Sequence, residues 1–106
     1  MSTASKLKQR RDEPFFREWA GYVPDARLTE SVAGMRALVD DLIASGSPPD
    51  EAVARDAVAL CVQRFNRLDD GWISTIERED ICETICTLVG LSGLECDDDW
   101  LADREW

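Results

Sequence analysis

The segment TESVAGMRALVDDLIASG, residues 29–46, places Val32, Met35, Leu38, Val39, Leu42 and Ile43 at steps of three and one. On a helix of 3.6 residues per turn these positions share one side. Thr29 is placed to cap the helix, and Gly46 to close it in a left-handed conformation. Gly34, inside the pattern, is worth about 1 kcal/mol less than alanine and reads as room for a close neighbour. Asp40 and Asp41 fall on the outer side. A next helix opens after Ser47 as cap, with Pro48 at its first position and Asp50 and Glu51 at its positive end. Its stripe runs through Val53, Ala57, Leu60, Cys61, Phe65 and Leu68, widened by Val58 and Val62.

A further helix is predicted from Ser74 or Thr75 to Val89. Ser74-Thr75-Ile76-Glu77 fits the S-x-x-E capping box, in which cap and third residue satisfy each other's backbone. Ile81, Cys82, Ile85, Leu88 and Val89 form its apolar side, and Gly90 and Gly93 end it. Ahead of these three long helices, EPFFREWAGYVP predicts a short helix over 14–20 that aligns Phe15, Trp19 and Tyr22. These rings read as one end of the core or as an exposed aromatic patch for a partner. After them, LECDDDWLADREW allows a short helix over 98–104. No stretch alternates with a period of two between hairpin turns, and no internal repeat is present. The fold class is therefore all-α: a small bundle of three long helices plus one or two short ones.

Charge adds a division. Residues 1–11 hold Lys6, Lys8, Arg10 and Arg11 and no acid, so they carry +4; the formal total of −10 leaves −14 for residues 12–106. The basic arm, without periodicity, is expected to be disordered, and residues 12–106 to form one helical domain with an acidic tail. An acidic body repels phosphate backbones, which argues against nucleic acid, and attracts basic proteins. No apolar run is long enough for a membrane span. No apolar stretch follows the basic arm as in a secretory signal, so the expected location is the cytoplasm.

Little here carries catalytic chemistry. Histidine is absent, and neither G-x-S-x-G nor a phosphate-binding glycine loop occurs. Without histidine, a cysteine nucleophile lacks its usual base. Cys61, Cys82, Cys86 and Cys96 lack C-x-x-C spacing and read as reduced, small hydrophobes. No cofactor is expected.

The stretch FNRLDDGWISTIE, residues 65–77, resembles an EF-hand calcium loop. With Gly71 at the sixth position, where the backbone bends, Asn66, Asp70, Ser74 and Glu77 fall on ligand positions, and Trp72 offers its carbonyl. The resemblance covers twelve residues, 66–77, and implies calcium binding. Leu68 stands where a third oxygen is needed, and Asn66 where aspartate is usual, so affinity would be on the order of millimolar or none. The same residues read as a helix junction: Asp69-Asp70-Gly71 as a turn, Leu68 as part of an apolar stripe, Glu77 as a cap. The junction is the preferred reading. A second string, WISTIEREDICE, resembles segments of small bacterial helical proteins without assigned activity.

In size, charge and helix content the chain is similar to small acidic helical immunity proteins. That similarity implies a non-catalytic domain that blocks a basic partner such as a nuclease toxin. The expected acidic contacts are Glu77, Glu79, Asp80 and Glu83, or Asp97, Asp98 and Asp99 in the tail. Trp72, Trp100 and Trp106 are the expected aromatic anchors. A degenerate calcium module and a helical homo-oligomer are the alternatives.

Overall fold

A computed structural model describes residues 2–46 and 50–106. It contains α1 (Thr3–Arg11), α2 (Asp25–Ala44), α3 (Glu51–Leu68) and α4 (Thr75–Leu91), with 3-10 turns at Arg17–Trp19 and Asp98–Leu101. The fold is all-α, with no strand among the described residues. The three long helices form the body, and a fourth, α1, replaces the disordered arm expected from the sequence.

That N-terminal helix rests on few residues. Ser2 caps it by accepting the Ser5 N–H at 3.1 Å, and Lys8, Arg10 and Arg11 suit the negative pole of its last turn. Leu7 is its one fully buried side chain, 1% exposed, against α2 and α4. Arg11 Nε reaches Asp40 Oδ1 on α2 at 2.8 Å. A single leucine makes no period, which is why sequence pattern alone missed the helix.

The helix expected over 14–20 is reduced to the turn at Arg17–Trp19, because Phe16 takes the left-handed conformation at φ 58°. That conformation is strained for a bulky residue, by roughly 1 kcal/mol or more. In return Phe15, Phe16 and Trp19 are all buried, and the Phe16 ring stacks on Trp19 at 4.0 Å.

Helix α2 begins four residues before the expected cap at Thr29. Pro24 supplies the cap, its carbonyl accepting the N–H groups of Arg27 and Leu28 at 3.0 Å. Leu28, half-buried, extends the stripe one turn backwards from Val32. Gly46 has φ 101°, as a left-handed closing residue requires. At Gly34 an added Cβ would meet Phe65 only at 3.9 Å, an ordinary contact, so close packing does not require glycine there.

The expected cap and first turn at Ser47 and Pro48 lie outside the described residues. Within them, Asp50 caps α3 by accepting from Ala52 N at 2.8 Å and Val53 N at 3.3 Å. The core face of α3 is rotated from the expected stripe. Ala54, Ala57, Val58, Cys61, Val62 and Phe65 are buried, while Val53 and Leu60 are exposed. Alanines at 54 and 57 take the face toward the core, and the larger Val53 and Leu60 point outward.

The capping box of α4 forms: Ser74 donates to Glu77 Oε1 from its N–H at 3.0 Å and its hydroxyl at 2.7 Å. Gly90 does not end α4, which continues to Leu91. The tail turn Asp98–Leu101 then docks on α3, with Trp100 and Leu101 buried. No helix among the described residues is long and apolar enough to cross a membrane.

Candidate functional site

The loop between α3 and α4 carries the residues aligned with calcium ligands. Asn66 spends its amide on the tail, donating to the Asp103 carbonyl at 3.1 Å and accepting the Glu105 N–H at 2.9 Å. Asp70 pairs with Arg27, whose Nη1 also donates to the Leu68 carbonyl at 3.2 Å. Asp69 accepts the Gly71 N–H at 2.9 Å and so shapes the turn. Ser74 and Glu77 close the cap. The side chains aligned with calcium ligands, Asn66, Asp70, Ser74 and Glu77, are thus directed to three separate tasks: the tail, Arg27 and the helix cap. Among the described residues, no group of three or more His, Cys, Asp or Glu side chains is arranged to hold a metal ion.

The tryptophans expected as partner anchors point inward. Trp100 and Trp106 are 6% and 8% exposed. Arg55 covers the Trp100 ring at 4.5 Å, and Trp106 meets Phe65 edge-on at 5.9 Å. Trp72 is half-buried, donates its indole N–H to the Leu68 carbonyl at 2.9 Å, and abuts Trp19 at 5.8 Å. Wide apolar rings gain from burial, so in the free chain Trp100 and Trp106 lie in the core and Trp72 packs partly against it.

The expected acids divide. Glu77 is buried at 5% exposure. Burial pushes its carboxyl up, but the hydrogen bonds from Ser74, with further ones from the Glu77 backbone and Tyr22, outweigh this and hold it below its ordinary value. Asp80 is half-buried and accepts the Trp19 indole N–H at 2.8 Å. Glu79 and Glu83 are exposed. In the tail Asp97, Asp98 and Asp99 are exposed too, Asp97 capping the turn by accepting the Asp99 N–H at 3.0 Å.

Beside the α4 acids stands a residue that sequence reasoning placed only in a general aromatic patch. Tyr22 is 56% exposed, and its hydroxyl lies 3.5 Å from Glu77 Oε2. Its phenol is pushed above its ordinary value by desolvation and then by the charges of Glu77 and Asp80. Ile76, missed entirely, is 65% exposed. It lies off the Ile81, Ile85 and Leu88 stripe, three, four and seven residues before Glu79, Asp80 and Glu83, and this spacing was the signal that could have found it.

Next to this surface an open cleft of about 330 Å³ separates α4 from the segment after α1. Glu18, Asp80 and Glu83 line it together with Arg10, Arg17 and Thr84.

No family model, curated protein or solved structure matches this chain. The functional reading therefore rests on the surface itself. That surface has exposed carboxylates, an exposed phenol and an exposed aliphatic side chain, and it offers charge attraction beside apolar contact.

Proposed function

We propose that the chain is a non-catalytic domain that binds a basic protein through the acidic side of α4. Its sharpest form is an immunity or antitoxin protein that acts in the cytoplasm and neutralises its partner by covering it. The supporting observation is that the two most exposed large apolar side chains among the described residues, Tyr22 and Ile76, flank the α4 acids. An interface core needs apolar area that loses its water, and a rim of charge steers the encounter. Glu79 and Glu83 supply the steering charge, with Asp80 half-buried between them. Tyr22 and Ile76 take the role first given to Trp72, Trp100 and Trp106.

The test is an affinity capture at low salt from cells that produce the chain, with elution at high salt. A basic protein is expected in the eluate, since screening weakens contacts between exposed charges. The double substitution Glu79→Lys and Glu83→Lys should abolish that capture. Tyr22→Ala should weaken binding of the captured protein about 30-fold, the loss of one hot-spot side chain. Capture unchanged by the charge reversals refutes the proposal, and recovery of the chain alone turns the reading toward a homo-oligomer.

A further inference from the structure

Four large apolar side chains are exposed among the described residues: Tyr22, Val53, Leu60 and Ile76. Tyr22 and Ile76 flank the α4 acids. Val53, 46% exposed, and Leu60, 40% exposed, stand on α3. Seven residues apart, they are two turns apart on one face of that helix. The neighbours of α3 lie to either side of this face. Helix α2 meets α3 at Cys61, whose thiol reaches the Gly34 carbonyl at 4.0 Å, and the tail meets it at Arg55 and Asn66. The face between them also carries Asp56, four residues before Leu60, and Arg64, four residues after it, with Arg67 a turn further on. Asp56 is exposed and Arg64 half-buried, and neither forms an ion pair among the described residues. Arg55 is already engaged, with Glu51 at 3.5 Å and over the Trp100 ring.

We propose that this face of α3 docks on the same face of a second copy of the chain, as a two-fold symmetric, antiparallel helix pair centred on Leu60. The charges select this occupant. Asp56 and Arg64 stand at equal distances before and after Leu60 and have opposite sign. A two-fold axis at Leu60 reverses the second helix, so each Asp56 faces the other copy's Arg64 and the ion pair forms twice. A parallel pairing would set Asp56 against Asp56 and Arg64 against Arg64, which repel. In the antiparallel pair Leu60 meets Leu60 at the crossing. Val53 lies opposite the aliphatic stem of the other copy's Arg67, seven residues from the axis on either side. The apolar contacts supply the affinity, and the ion pairs at the rim fix direction and register. A single helix pair buries less than the roughly 1,200 Å² of a standard interface, so Kd is expected on the order of 10 µM. None of these residues belongs to the α4 surface, so the dimer goes beyond the partner proposed for that surface and stands or falls apart from it.

Sedimentation equilibrium of the full chain from about 1 to about 500 µM reads the association. The wild type should pass from monomer to dimer over that range. Leu60→Glu and Val53→Glu, both at exposed positions, should stay monomeric, and Ile76→Glu should dimerise as the wild type does. Circular dichroism establishes that each variant is folded. Asp56→Arg alone and Arg64→Asp alone should each dimerise about tenfold more weakly, because like charges then face each other. Mixed in equal amounts, these two variants should associate as tightly as the wild type, since every facing pair is again of opposite sign. A wild type still monomeric at about 500 µM overturns the proposal. So does a dimer that survives both Leu60→Glu and Val53→Glu, a dimer lost in Ile76→Glu, or a mixture no tighter than its components.

Discussion

Trp106 separates two accounts of the tail. Were it an exposed anchor waiting for a partner, truncation would leave the free chain as stable as before. In the structure the ring is 8% exposed and packs on Phe65. A tryptophan ring buries about 200 Å², which at about 25 cal/mol per Å² is about 5 kcal/mol. Its indole N–H has no acceptor among the described residues. A buried donor left unpaired offsets about 2 kcal/mol of that gain. Trp106→Ala should therefore destabilise the chain by about 3 kcal/mol, at the lower end for loss of a large aromatic. For a domain of this size each kcal/mol shifts Tm by about 4 °C, so the expected fall is about 12 °C. Thermal unfolding followed by circular dichroism reads it directly. Trp106→Phe, which keeps part of the apolar ring, should recover about half of the loss. A fall of less than about 3 °C for the alanine variant would refute the docked tail and restore Trp106 to the surface.

Two further outcomes follow from the ends of the helices. Leu7→Ala should destabilise by about 2–3 kcal/mol and speed amide exchange through α1, since Leu7 is the one fully buried side chain holding that helix down; exchange unchanged in α1 would mean that the helix does not depend on docking. Glu77 has a folded pKa below its ordinary value of 4.5, so its stabilisation is complete above that pH and is lost as pH falls through the lower folded value. Glu77→Gln should cost about 1 kcal/mol at pH 7 and flatten the acid limb of a urea-unfolding series below about pH 4.5; an unchanged acid limb would remove Glu77 as its source.

The sequence by itself determined what depends on neighbours a turn or less away. The period of Val32, Met35, Leu38, Val39 and Leu42 forms α2, and Ser74 with Glu77 starts α4, because helical spacing and capping are local rules. The turn around Gly71, at φ 102°, follows in the same way from a residue without a Cβ. Tertiary structure decided which amphipathic groups lie inside. Tryptophan carries both an apolar ring and a polar edge, so a segment with Trp100 and Trp106 fits a binding surface or a core equally well until α3 lies beneath it. The same holds for Leu7, whose burial depends on α2 and α4, and for the choice between Val53 and Ala54 as the inner side of α3. The acidic site was half legible for that reason. Glu79 and Glu83 could be read as outward from their spacing, but Tyr22 beside Glu77 joins residues 55 positions apart, and only the packed chain brings them together.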